Sequence, residues 1–175
     1  MRTSDEAEPR GLALARAEGQ AFRATVDHMI ADIADGGAIT RAGEYLVGYA
    51  VEKAEGMYEL RGGELQWTDP GAGNAHIEVV VCDGADGRFV PCLDVTVTVA
   101  ADAGRVLGTH AQPLLWHPYL YHYGRNWTLP GDGAYTLTVH IEPPAFPRHD
   151  KVNGRRYAKA VDVTFEGVRI ETGQD

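Results

Sequence analysis

Three short segments hold the residues that could do chemistry. They are His76-Ile77-Glu78, the run His122-Tyr123-Gly124-Arg125-Asn126, and Gly133–Pro144, which reads GAYTLTVHIEPP and contains His140. Each sets a histidine in an aromatic or strand context, and the first adds a carboxylate two residues away. Imidazole is the commonest protein ligand for transition metals, and its neutral, lone-pair-bearing form is abundant near neutral pH. Residues two apart on a strand face the same side with Cβ atoms ~7 Å apart. His76 and Glu78 can therefore meet one ion, or one can ligate while the other orients it. Spacing goes no further than this: CxxC, HxxxH and HExxH are all absent, and a histidine on a solvent face needs no metal.

Catalytic patterns are thinner still. No Ser-His-Asp set can be ordered along the chain, and no glycine-rich phosphate loop opens a helix. A cupin oxygenase needs HxH followed by a glutamate, whereas this chain offers HxE. A non-enzyme is expected.

The elements that must position these residues follow from periodicity. Phe22, Val26, Met29, Ile30 and Ile33 recur at three- and four-residue steps, which predicts one helix over residues 5–34, ended by Gly36-Gly37. From Tyr45 the period becomes two, through Tyr45, Val47, Tyr49 and Val51. Arg61-Gly62-Gly63 marks a hairpin turn. Ile77, Val79 and Val81 then share one face, with His76, Glu78 and Val80 on the other. Val95, Val97 and Val99 repeat the pattern, as do Tyr135, Leu137, Val139 and Ile141, leaving Thr136, Thr138, His140 and Glu142 outside. Val161, Val163 and Phe165 close the series before a bulge at Gly167. Short alternating strands between Gly/Pro turns predict an all-β chain, an antiparallel β-sandwich at 41–175 behind a helical extension at 1–40. Thr109–Leu129, with three histidines and no clean period, is expected to be a long functional loop.

Composition sets the outer limits. A net charge of −9 over 175 residues leaves no basic stripe for phosphates, so nucleic acid and anionic membrane surfaces are not expected partners. Direct membrane insertion is not expected either, because no apolar stretch approaches the ~20 residues of a span. The N-terminus shows no signal-peptide pattern, so as written the chain reads as cytoplasmic unless a leader is missing. Cys82 and Cys92 flank a hairpin in which Cys82 should oppose Phe89, an offset that favours two free, partly buried thiols over a disulfide.

The HIE at 76–78, the HYGxN at 122–126 and the GxYxxTxHIEPP at 133–144 resemble the FetP-type family of bacterial periplasmic iron-transport-associated proteins, over about residues 50–170. The resemblance implies an immunoglobulin-like sandwich, a homodimer, export to the periplasm or cell envelope, a copper site linked to iron uptake, and a membrane iron permease as partner. Carried over by position, His76, His122 and His140 match the family's histidine ligands, and Glu78 matches the acidic group beside them. The family's methionine ligand falls on Leu114, which cannot ligate, and His117 in the altered loop is the candidate replacement. Without the thioether, the expected ion is copper or iron, with zinc as a further candidate. The competing expectation is a carbohydrate- or protein-binding module that uses the aromatic segment 116–127, through Trp116, Tyr119, Tyr121, Tyr123 and Trp127.

Overall fold

The computed structural model describes residues 1–101 and 104–175. Among the described residues, eleven strands follow one α-helix. Helix α1 spans Pro9–His28 and runs into a π-helical turn at Met29–Ile33. Its start is set by chemistry: the Glu8 side chain accepts from the Arg10 and Gly11 amides, and Pro9 sits where its missing N–H costs nothing. The helix is therefore shorter at its N-terminus than periodicity suggested.

The strands are β1 (Gly36–Ala42), β2 (Tyr45–Glu52), β3 (Met57–Arg61), β4 (Glu64–Thr68), β5 (Ala75–Asp83), β6 (Val95–Ala101), β7 (Val106–Ala111), β8 (Leu114–Trp116), β9 (Tyr121–Trp127), β10 (Gly133–Ile141) and β11 (Val161–Ile170). One antiparallel sheet has the order β1-β2-β5-β9-β8 and the other β11-β10-β6-β7, while β3 and β4 form a separate hairpin. Ile77, Val79 and Val81 of the first sheet meet Val95, Val97, Val99, Leu137, Val139 and Ile141 of the second in one core. This is the expected antiparallel, immunoglobulin-like sandwich. Predicted details also stand: Cys82 bridges Phe89, both cysteines are free, and the β10–β11 register shifts opposite Gly167. Cys92, however, is exposed rather than partly buried.

Two expectations fail. Strand β1 begins at Gly36, inside the segment taken for the helical extension. Thr109–Leu129 is not a loop, because it contains the end of β7 and all of β8 and β9. Its strands were hidden because both faces of β9 are covered. Tyr123 and Trp127 enter the core, while His122 and Gly124 are buried on the opposite face, and Arg125, polar at the core-side position between the two aromatics, interrupts the alternation.

Helix α1 packs outside the first sheet, where Val26 and Met29 join Val80 and Leu120 in a second apolar cluster. Gly19 permits this approach: a Cβ there would fall 1.8 Å from the Asp86 carbonyl oxygen. One face of β5 thus fills the core, and the other is roofed by the helix. All nine residues of β5 are buried. That double burial sets the character of the site.

Candidate metal centre

The outer face of the first sheet can be laid out from register. Glu52, His76 and Asn126 lie in one cross-strand row; Ala50, Glu78 and Gly124 lie in the next. His122 is two residues from Gly124 on β9 and pairs across to Leu115 of β8. Alternation therefore brings His76, Glu78 and His122 to one face, and the small Ala50 and Gly124 leave space around Glu78.

These three side chains converge, each offering a ligand atom within 4.8 Å of the others. His76 is 0%, and Glu78 and His122 each 3%, exposed. Glu78 Oε1 lies 3.2 Å from His122 Nε2 and 3.8 Å from His76 Nε2. Among the described residues, neither Nε2, nor His122 Nδ1, has a hydrogen-bond partner. Leaving a buried polar group unpaired costs about 1–3 kcal/mol, so three such nitrogens beside one carboxyl make a costly arrangement unless something binds there. A Cβ on Gly124 would sit 3.0 Å from both His76 Nε2 and His122 Cδ2. The glycine keeps open the space toward which the nitrogens point. Unpaired donors around a reserved space fit a metal ion, and two imidazoles with one carboxylate suit Zn²⁺, Cu²⁺ or Fe²⁺.

Asn126 settles the tautomer of His76. Its Nδ2 donates to the Glu55 carbonyl oxygen at 2.8 Å, which fixes the amide orientation. Asn126 Oδ1 then faces His76 Nδ1 at 3.0 Å and must accept its proton. His76 Nε2 is left with a free lone pair, the form a metal needs.

Burial sets the protonation. It pushes the Glu78 carboxyl up to about 8, with Glu52 and Glu55 adding to the rise. Burial also lowers both histidines, His122 to about 3 with help from His76 and His117. At neutral pH the metal-free centre holds neutral imidazoles and a largely protonated Glu78.

The sequence model of the family described as Fe2+ transport protein matches residues 75–168, more than half of the 175-residue chain, and spans β5 to β11 with the whole centre. The chain belongs to that family. Solved structures agree on the fold. The periplasmically expressed FetP of uropathogenic Escherichia coli superposes with a TM-score of 0.65 at 24% identity, over 77% of this chain and 93% of its own. A copper-bound glutamate-to-glutamine variant of FetP gives a TM-score of 0.63 at 25% identity, over 76% of this chain and 93% of its own. Copper-reconstituted P19 of Campylobacter jejuni gives a TM-score of 0.66 at 18% identity, over 79% of this chain and 96% of its own. Comparison with curated protein sequences gives no match. As a member of that family, the chain is not an enzyme.

The remaining candidates fall elsewhere. His140 does not join the group within one chain. It lies on β10, on the outer face of the second sheet, with Nδ1 2.8 Å from Asp162 Oδ1 and Nε2 3.1 Å from Glu142 Oε1. Alternation correctly put both His76 and His140 outside the core, but it does not reveal which sheet a strand joins. Leu114 is corrected as well. It pairs with Tyr123, whose ring enters the core, whereas Leu115 pairs with His122 and shares its face. His117 is near but outside the group, its ring 6.4 Å from that of His122 and its Nδ1 accepting from the Tyr119 amide. Of the aromatic segment, Tyr123 and Trp127 are core residues, while Trp116, Tyr119 and Tyr121 are exposed.

Access comes from one side. A groove of about 1080 Å³ runs between the β3–β4 hairpin and the β8–β9 connection, lined in part by Tyr58, Trp67, His117, His122 and Asn126. On the far side Met29 and Leu120 pack beside Glu78. Sequence reasoning missed Gly124 and Asn126 as site residues, although both stand in the HYGxN run. Strand alternation from His122 would have placed them on its face.

Proposed function

We propose that this chain binds a transition-metal ion through His76 Nε2, His122 Nε2 and Glu78, and serves iron or copper handling in the bacterial cell envelope. The observation that carries this is the set of fully buried, partnerless imidazole nitrogens facing one carboxyl across space reserved by Gly124. The family description, Fe2+ transport protein, and the copper held by variant FetP and reconstituted P19 supply the cellular context. With leucine at both 114 and 115, no sulfur reaches the ion from β8, which favours Cu²⁺, Zn²⁺ or Fe²⁺ over Cu⁺. Metal analysis of untagged protein, followed by Cu²⁺ and Zn²⁺ titration of the chelated form, tests it. One ion per chain is expected, lost in His122→Ala; no binding, or binding indifferent to His76 and His122, contradicts it.

A homodimer is part of this proposal. His140 matches a ligand position of the FetP-type pattern yet stands on the opposite face of its own chain, so only a second copy could bring it to the centre. The rim of the groove is suited to such a contact, since Tyr58, Leu65, Trp67 and Trp116 are all exposed there. His117 lies at the same rim and is the nearest further imidazole. Light scattering tests the dimer, and a species at the 19.0 kDa of one chain across micromolar concentrations contradicts it. A membrane iron permease is the proposed downstream partner. Among the described residues no helix is long and apolar enough to cross a membrane.

A further inference from the structure

The connection between β10 and β11 is a basic stretch in an acidic chain. Residues 142–160 hold Arg148, Lys151, Arg155, Arg156 and Lys159 against Glu142 and Asp150, while the whole chain carries a net charge of −9. A cavity of about 340 Å³ opens beside it, and its lining includes Arg2, Glu44, Asn153, Arg155 and Arg156. Asp83, the ion-pair partner of Arg156, ends β5 five residues beyond Glu78, roughly 17 Å along a strand. The cavity therefore lies toward the end of the sandwich away from the metal centre.

The chain is fastened in a way that gathers these cations. The Arg2 amide donates to Asn153 Oδ1 at 2.9 Å, Asn153 Nδ2 donates to the Arg2 carbonyl oxygen at 2.9 Å, and Ser4 Oγ donates to Asp150 Oδ2 at 2.8 Å. These hydrogen bonds hold the segment that carries Arg2 against the turn that carries Arg155 and Arg156. Asp150 at φ 82° and Tyr157 at φ 57°, two of the three non-glycine residues with positive φ among the described residues, bracket that turn. Such a backbone is a genuine outlier for a bulky side chain. Tyr157 is kept in it by its hydroxyl hydrogen bond to Asp83 and by stacking on Tyr45, ring centroids 4.8 Å apart. Backbone strain held in place by its surroundings clusters at ligand clamps.

Among the described residues, only Arg156 of the three arginines has carboxylate partners. Its Nη2 donates to Asp83 Oδ1 at 2.9 Å, but Nη1 stands 3.7 Å from Glu44 Oε1 and Nε has no acceptor. Glu44 also accepts from the Tyr157 amide. Two carboxylates thus face three guanidiniums, and both positive charge and N–H donors remain unspent. Guanidinium forks match the paired oxygens of carboxylate and phosphate groups. We propose that Arg2, Arg155 and Arg156 form a binding pocket for a small multivalent oxyanion, a phosphate or a di- or tricarboxylate. The pocket shares no residue with the metal centre and stands whether or not His76 and His122 hold an ion.

Calorimetric titration of the metal-free full chain with inorganic phosphate and with citrate, at low ionic strength, tests this. One anion per chain is expected, and the tighter of the two shows whether phosphate or carboxylate is the preferred class. The Arg2→Gln/Arg155→Gln double variant leaves Arg156 and its Asp83 pair in place. It should weaken the anion on the order of tenfold or more while keeping the wild-type Tm. Arg155→Lys, which keeps the charge and loses the fork, should fall between. His122→Ala should leave anion affinity unchanged. Failure of both anions to bind the wild type, or binding equally tight in the double variant, overturns the proposal. Loss of anion binding in His122→Ala would place the anion at the histidine centre and overturn it as well.

Discussion

The tripeptide His-Ile-Glu occurs twice, at 76–78 on β5 and at 140–142 at the end of β10, and the two copies behave as opposites. In both, the isoleucine fills the sandwich core and the histidine and glutamate face outward. At β10 outward means water. The His140 side chain is 36% exposed, its hydrogen bonds to the Asp162 and Glu142 carboxylates favour its charged form, and its pKa is raised. At β5 outward means a covered face, with Val26, Met29 and Leu120 packed beside Glu78. His76 is sealed, its pKa is lowered, and its glutamate is held protonated well above the carboxylate range. Identical residues thus give an ordinary surface ion pair in one place and a candidate ligand set in the other. The covering elements, more than the ligand-like spacing, decide which.

The largest effect should come from removing the buried imidazoles. His76→Ala and His122→Ala should each lower Zn²⁺ or Cu²⁺ affinity on the order of 100-fold or more, beyond the 10–100-fold typical of an outer-shell partner. His140→Ala should matter only where a second copy is present, so its effect should vanish on dilution to monomer. An equal loss from His140→Ala in the monomer would break the comparison. Next is Asn126→Ala, expected to cost roughly 10–100-fold because His76 loses the acceptor that fixes its tautomer. Binding isotherms measure both.

A smaller effect is expected on the pH dependence of the metal-free protein. Glu78 is raised from its ordinary 4.5 to about 8, so between these values the folded chain holds a proton that the unfolded chain has released. Its contribution to stability is present at low pH and lost as pH rises toward 8. His122, lowered from 6.5 to about 3, acts in reverse and loses stability as pH falls through that window. The Tm should therefore peak near neutrality and decline on the alkaline side, a decline that Glu78→Gln removes. Ion binding should tighten as pH approaches 8, where Glu78 releases its proton, rather than follow an ordinary histidine near 6.5. The smallest change is expected from sulfur. Leu115→Met should raise Cu⁺ affinity because position 115 shares the His122 face, while Leu114→Met should leave it unchanged.

Wherever one face of a strand was apolar, the sequence was legible. The alternations at Tyr45–Val51, Val95–Val99 and Tyr135–Ile141 and the Gly167 bulge all read correctly, because period two reports a strand buried on one side. Strands β8 and β9 were not legible, since β8 is only three residues long and Arg125 breaks the two-residue aromatic period of Tyr121, Tyr123 and Trp127 in β9. For the site, parity placed His76 and Glu78 together, and resemblance tied them to His122. Placing His140 needed strand order, which alternation does not encode. Glu52 and Asn126 enter through cross-strand register with His76, another quantity absent from local spacing.

The direct test is anomalous diffraction at the zinc absorption edge from crystals grown with Zn²⁺. The account predicts a peak among His76 Nε2, His122 Nε2 and a Glu78 oxygen, at about 2.0–2.2 Å from each. A peak at His140 held only by Glu142 and Asp162 of the same chain, with none beside His122, would contradict it.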